Sequence, residues 1–328
     1  MGAVPDSGVL KKILHNVAGL NVLVLGDVML DHYVIGDATR ISPEAPVPVV
    51  AVERESYTLG ASANVALNIL SLGGNVELCG AIGGDRAGRR LEEIFSTRGI
   101  AFNGRFVKAS LDTIVKTRVV VRGQQLCRVD REGKKPAYAI NGDGDLAYIQ
   151  SRIDWSDAII FSDYNKGTLN GENVSRLIDY ARGHGKFTAI DPKPSNKMAF
   201  RGIDVMTPNK LEAAQLADLP GEDEHPMEEV CRKIYEKYSP KMLIITLGQE
   251  GMLLSVDGVI DRTVPTFARE VFDVSGAGDT VIAALTMALA AGNKAQDAMY
   301  FANTAAGVVV GKHGTAVALP EEILNFHQ

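Results

Sequence analysis

Asp273-Val274-Ser275-Gly276-Ala277-Gly278-Asp279 runs directly into Thr280-Val281-Ile282-Ala283-Ala284-Leu285, a turn of small residues that opens an apolar helix with a carboxylate at its entrance. Gly276, Ala277 and Gly278 let an anion approach backbone N–H groups, and the free N–H groups and dipole of a helix start favour negative charge. Asp279 would repel that anion. An acid that costs binding there points to chemistry: it can take a proton from an attacking hydroxyl while the amides hold charge developing on a phosphoryl group. An ordinary capped helix, with Asp279 acting on the macrodipole and Gly292 ending it, would read the same way.

Outward from this turn, short apolar runs recur at Asn21–Leu25, Val76–Ala81, Ala158–Phe161, Phe187–Ile190, Asp204–Met206 and Met242–Thr246. Such runs read as buried parallel strands. The amphipathic stretches Ser62–Leu72, Arg89–Thr97, Val174–His184 and Met227–Tyr238 lie among them and read as crossover helices. The result is an α/β chain with a mostly parallel sheet, helices on both faces and ligands collecting at the carboxyl ends of the strands. Val47–Val52 and Thr113–Arg122 break the rhythm. They are β-rich without neighbouring helices, and read as antiparallel strands of a small β lid, with Pro43, Pro46 and Pro48 suiting an edge strand or its lead-in.

Several polar residues fall at strand ends. Asp27 ends the first strand and Asp31 follows; carboxylates there suit neutral sugar hydroxyls, although two solvated loop acids would look alike. Asn209 and Glu212 in Thr207-Pro208-Asn209-Lys210-Leu211-Glu212 suit either a shared site or a helix cap. Lys193 follows another strand and could meet phosphates as a point charge. Thr246 to Gly251 forms a strand-end turn into Met252–Val256, where Gly248 would allow close backbone approach. In the lid, Lys116, Arg118 and Arg122 share a parity and should project from one face, with Arg128 nearby and Lys166 beyond. A solvated charged face would explain them; so would a fork for an acceptor that already carries a phosphate.

The Asp273–Asp279 segment closely resembles the C-terminal signature of the PfkB/ribokinase family of sugar kinases. That resemblance implies a ribokinase-like fold in one domain over residues 1–328, with lid segments at about 32–56 and 105–130. It implies an anion hole from Gly276, Ala277 and Gly278, and Asp279 as catalytic base. Gly60-Ala61-Ser62-Ala63-Asn64 resembles the family's N-terminal signature, which implies sugar contacts for Gly60 and Asn64, with Ala61 standing where a second glycine is usual. Asp27 and Asp31 are implied on the sugar. Asn209-x-x-Glu212 resembles the motif that positions Mg2+-bound water and nucleotide phosphate; Lys193, Thr246, Gly248 and Asn303 are implied on the ATP side.

Three further runs are similar to heptose-7-phosphate kinases of lipopolysaccharide core synthesis. They are Arg40-Ile41-Ser42-Pro43-Glu44-Ala45-Pro46-Val47-Pro48-Val49, Phe161-Ser162-Asp163-Tyr164-Asn165-Lys166-Gly167, and Phe301-Ala302-Asn303 through Lys312. The likeness implies ATP-dependent phosphorylation of the anomeric hydroxyl of D-glycero-D-manno-heptose 7-phosphate. Lys116, Arg122, Arg128 and Lys166 would then contact the substrate. No adenylyltransferase domain follows Gln328, so a stand-alone kinase is expected, and a homodimer through the lid is expected by analogy. A kinase for another sugar would share the nucleotide side; a non-catalytic sensor would not need Asp279. A Rossmann dehydrogenase fits poorly, since Gly26-Asp27-Val28-Met29 replaces a Gly-x-Gly-x-x-Gly turn.

Composition bounds the rest. With 328 residues, 46% of them hydrophobic, the chain can bury a large core, and its net charge of −6 argues against nucleic acid. Cys79, Cys127 and Cys231 are odd in number and scattered, which suggests neither a disulfide framework nor a zinc site. No apolar run is long enough for a membrane span and no signal-peptide pattern opens the chain, so a cytoplasmic protein is expected.

Overall fold

The computed structural model describes residues 7–220, 225–266, 271–312 and 314–326, so the ends of the expected 1–328 domain lie outside the described residues. The strands in chain order begin with β1 Asn21–Gly26, β2 Val28–Ile41, β3 Pro48–Ala61, β4 Asn75–Cys79 and β5 Ile82–Gly83. Next come β6 Ala101–Phe102, β7 Val107–Lys108, β8 Ile114–Val121, β9 Gln124–Arg131 and β10 Ala158–Ser162. The last are β11 Phe187–Asp191, β12 Val205–Met206, β13 Met242–Thr246, β14 Met252–Val256 and β15 Val259–Val264. The helices are α1 Ser7–Val17, α2 Ser62–Ser71, α3 Arg86–Arg98, α4 Asp143–Trp155 and α5 Gly171–Gly183, then α6 Lys210–Leu216, α7 Met227–Tyr238, α8 Ala277–Ala290, α9 Ala295–Val310 and α10 Pro320–Asn325.

Nine strands form one sheet in the order β15-β14-β13-β12-β11-β10-β1-β4-β6. From β6 to β13 every pairing is parallel; β13–β14 and β14–β15 are antiparallel. Alternation along each buried strand divides its side chains between two cores. Val22 and Val24 join α1, α2, α8 and α9 on one face, whereas Leu23 and Leu25 join α4, α5, α6 and α7 on the other. The helices therefore cover both faces, and the sheet's carboxyl edge is left open for a site.

Four strands stand off the main sheet in the order β3-β2-β8-β9. This lid is longer than its sequence signal. Asp31 lies inside the 14-residue β2 rather than in a loop, and Pro48 opens the edge strand β3 while Pro43 and Pro46 sit in the connection before it. β8 also departs from expectation: it pairs antiparallel with β9 but parallel with β2. The chain reaches β8 from the hairpin β2–β3 only after α2, β4 and α3, a long crossover of the kind that parallel pairing requires. No helix among the described residues is long and apolar enough to cross a membrane.

Candidate active site

The strand ends carry the expected polar residues to one edge. β1 ends at Asp27, β10 at Asp163 and Tyr164, β11 at Asp191 and Lys193, and the Asn209 segment after β12 bridges Thr246 at the end of β13. Helix α8 starts over this edge. Its N-cap, Gly276, has a left-handed backbone, φ 80°, and a Cβ there would lie 2.7 Å from Asn64 Nδ2. Glycine is therefore required both by the turn and by the approach.

Asp279, in the first turn of α8, is buried. Its Oδ2 accepts from Asn64 Nδ2 at 2.8 Å and its Oδ1 accepts from the Tyr164 hydroxyl at 2.6 Å. Burial raises its carboxyl to about 6, against the opposing effect of those two hydrogen bonds, and Asp31 adds to the rise. Such a carboxyl exchanges its proton near neutral pH, as a general base should. Asn64 is also buried, and its amide nitrogen is committed to Asp279 while its Oδ1 has no partner among the described residues. Asn64 thus meets the acid through its amide nitrogen, and its amide oxygen is left for the expected sugar contact.

The anion turn is held by Asp273, which accepts from Ser275 N at 2.9 Å and Gly314 N at 3.0 Å. Burial pushes Asp273 up, but these hydrogen bonds outweigh it and leave the group below its ordinary value. Ala277 N donates to Val274 O at 3.2 Å, so this amide of the expected anion hole is engaged within the turn. The amides of Gly276 and Gly278 make no hydrogen bond among the described residues.

Asp27 requires correction. It is fully buried, and its carboxylate accepts from the backbone N–H groups of Tyr164 at 3.0 Å, Lys166 at 2.9 Å and Thr168 at 3.0 Å. Most of its acceptor capacity is therefore spent on the loop after β10, and it acts as the clamp for that loop rather than as a sugar ligand. Asp31 keeps its place at the cleft, where its Oδ1 takes a 2.6 Å bond from Arg118. A Cβ on Gly60 would lie 2.8 Å from Asp31 Oδ2, so Gly60 gives the acid room.

The lid cations divide. Lys116, Arg118 and Arg128 share one face with Asp31 and Asp130, through the register Asp31↔Lys116, Lys116↔Asp130 and Arg118↔Arg128. Lys116 and Arg128 both pair with Asp130, and Lys166 reaches the lid at Glu132. Arg122 does not join them. It lies one residue past the end of β8, with φ 51° in the exposed turn, and pairs with Asp37. The shared-parity argument assumes that the strand runs on through Arg122, and β8 instead ends at Val121 and turns.

On the other side of the cleft, Asn209 and Glu212 form a reciprocal capping box at the start of α6, and Glu212 Oε1 also accepts from Lys193 Nζ at 2.7 Å. The capping reading of the motif is present in the structure, and Glu212 is shared between the cap and Lys193. Thr246 ends β13, and Gly248 lies in the following turn with open space where a Cβ would be. Asn303 is buried and donates to Pro265 O at 2.6 Å, so it ties α9 to the segment after β15.

Sequence reasoning missed two members of the site. Tyr164 sits within the Phe161–Gly167 run without a signal of its own, and the phenol's aim at Asp279 depends on a loop shape that no local pattern announces. Burial, with Asp279 and Asp191 nearby, pushes this phenol well above its ordinary value, so it stays a neutral donor. Asp191 is likewise pushed well above its ordinary value by burial, then by Glu212 and Asp279. A signal existed for Asp191, since it stands at the end of a parallel strand next to Pro192-Lys193.

Comparison with known proteins identifies the family and the fold. The sequence is 41% identical over 309 residues to Bifunctional protein HldE of Helicobacter hepaticus, covering 93% of this chain and 63% of that protein. It is 40% identical over 314 residues to Bifunctional protein HldE of Geobacter sulfurreducens, covering 96% and 64% respectively. The chain thus spans less than two thirds of the length of these relatives. The fold is shared with phosphofructokinase-2 from Escherichia coli, TM-score 0.75 at 18% identity, over 94% of this chain and 98% of that one. It is also shared with Arabidopsis thaliana ribokinase solved with ribose and ATP, TM-score 0.73 at 19% identity and the same coverage. The family description "pfkB family carbohydrate kinase" matches residues 20–322, and with the ribokinase-like sheet beneath this cleft the chain belongs to that family of sugar kinases.

Proposed function

We propose that this sugar kinase transfers the γ-phosphoryl group of ATP to the anomeric hydroxyl of D-glycero-D-manno-heptose 7-phosphate, giving the 1,7-bisphosphate. The observation that carries the chemistry is the buried Asp279 carboxyl, raised to about 6 and fixed through both oxygens beside a helix start with free glycine amides. Asp279 takes the proton of the attacking hydroxyl. The Gly276 and Gly278 amides face the charge that grows on the transferring group, where fixed dipoles act without reorganising. Asp31 accepts from sugar hydroxyls in the space that Gly60 leaves. Lys193, Thr246 and Gly248 line the nucleotide side, and the Arabidopsis relative solved with ATP supports the same donor here.

Mg2+ fits the residues present. Asp191 and Glu212 raise the cost of charge at this edge, and a cation relieves it; among the described residues no group of three ligating side chains is gathered to hold an ion directly. An ion carried by nucleotide phosphates and waters, with Asn209, Glu212 and Asp191 beside it, suits the known reluctance of Mg2+ to dehydrate. Bound there, it would neutralise phosphate charge.

The heptose reading is supported by the resemblance of the Arg40–Val49, Phe161–Gly167 and Phe301–Lys312 runs, and by a group of lid cations that a second phosphate could draw from their acidic partners. Lys116, Arg118, Arg128 and Lys166 are those cations; Arg122 is no longer among them. A panel of sugars and sugar phosphates with ATP, read by the position of the new phosphate, tests it. Preference for an unphosphorylated sugar over the 7-phosphate would overturn the substrate while leaving the chemistry standing.

A further inference from the structure

We propose that Tyr164 is a positioning residue for the catalytic carboxylate: its hydroxyl sets the orientation and charge state of Asp279 from a loop that Asp27 clamps in place. The inference rests on the reading of Asp279 as the base. The phenol oxygen lies 2.6 Å from Oδ1 and Asn64 Nδ2 lies 2.8 Å from Oδ2, so each carboxylate oxygen has one fixed donor and keeps a further lone pair for a substrate hydroxyl. Two donors on two oxygens define the plane of the group. Asn64 alone would leave rotation about it.

The loop explains why the phenol points there. Three of its N–H groups, from Tyr164, Lys166 and Thr168, converge on the Asp27 carboxylate. Asn165 adopts φ 55° and Gly167 φ 114°, and a Cβ on Gly167 would lie 2.0 Å from Lys135 O. This is a tightly determined backbone, and it sends Tyr164 to the base and Lys166 to Glu132 of the lid. Phenylalanine would fill the same space without the hydroxyl, so the fold does not account for the choice of tyrosine.

The charges around Asp279 make the donor matter. Asp31 faces it from β2 and Asp191 from the end of β11, with Glu212 of α6 beyond Asp191; Arg118 from β8 is engaged by Asp31. Burial, and then Asp31, favour a protonated Asp279, and the phenol and the Asn64 amide oppose them. Removing the phenol O–H takes away one of two donors to the ionised form. The base then stays protonated to higher pH.

The test is Tyr164→Phe, with kcat followed across pH using ATP and D-glycero-D-manno-heptose 7-phosphate, and with the Asp279 side chain titrated by 13C NMR in the substrate-free protein. The Asp279 resonance is assigned by its loss in Asp279→Asn. A hydrogen bond to a charged group corresponds to a shift of roughly one pH unit or more, so the acid limb of the profile moves up by that amount. Turnover then falls about ten-fold on the acid side and recovers to within about three-fold on the alkaline side. A profile that superimposes on the parent, a loss of equal size at every pH, or an unmoved Asp279 titration would overturn the proposal. Failure of the base reading looks different: Asp279→Asn would keep its turnover, while the titration would still report whether Tyr164 controls the carboxyl.

Discussion

Asn64 Nδ2 lies 2.8 Å from Asp279 Oδ2 across 215 residues of sequence, and this contact joins the start of α2 to the start of α8 at the point where the proposed chemistry occurs. The acid it holds is one that the fold would be better without. Asp279→Asn should therefore reduce kcat by about 10²–10⁴-fold, the usual worth of a general base, while calorimetry finds ATP affinity little changed.

The same variant should gain stability. Asp279 titrates near 6 when folded, above the 3.8 of a free Asp side chain, so the folded state binds more protons between those values and stability is lost as pH rises through that window. Asparagine carries no charge at any pH, and the unpartnered Oδ1 of Asn64 can turn toward its new N–H groups. Denaturation at about pH 8 should show Asp279→Asn more stable by roughly 1–3 kcal/mol, with the difference shrinking toward pH 4. Equal stability at both pH values would show that the carboxylate is not strained by burial.

Ala61 stands at the N-cap of α2 with φ 54° and ψ −132°, a conformation that suits glycine and burdens a Cβ. A residue with a side chain pays about 1–2 kcal/mol there, and glycine returns about 0.5–1 kcal/mol of that through the greater freedom of its unfolded chain. Ala61→Gly should raise stability by about 0.5–1 kcal/mol in urea denaturation. A lowered midpoint would mean that the buried methyl contributes more than the strain costs.

Arg128 and Arg122 separate the proposed contact with a phosphate on the acceptor from general lid charge. Arg128 lies on the face shared with Asp31, whereas Arg122 pairs with Asp37 in the exposed turn after β8. Arg128→Ala should raise KM for the sugar 7-phosphate about ten-fold, the worth of one charge-assisted contact, without lowering Tm appreciably. Arg122→Ala should leave KM within about two-fold. Steady-state kinetics on both variants decides, and equal effects would remove the phosphate role from this face.

The sheet was legible because its strands are continuous apolar runs, and their ends carry the acids and glycines that mark the cleft. What stayed hidden depends on contacts between distant segments. Asp27 looks like a solvated loop acid until three N–H groups from 137 to 141 residues away close on it. Asp31 gave no strand signal because β2 mixes polar and apolar residues on a lid that is only half-buried. Arg122 was misplaced for a different reason: β8 ends at Val121, and the turn residue after it escapes a parity rule that holds for Lys116 and Arg118.

Asp27→Asn tests how far the clamp reaches. Asp27 Oδ2 takes two N–H donors and Oδ1 takes one, so an amide nitrogen at either position faces at least one donor with another donor. Losing one hydrogen bond to a charged acceptor and leaving a buried N–H unpaired should cost about 2–4 kcal/mol of stability. The consequence extends to catalysis because Tyr164 N is one of those donors and its hydroxyl rests on Asp279. Asp27→Asn should therefore lower kcat more than it raises KM for the sugar, although Asp27 touches no reacting atom. Urea denaturation and steady-state kinetics on one preparation measure both effects, and a KM effect that exceeds the kcat effect would return Asp27 to the role of sugar ligand.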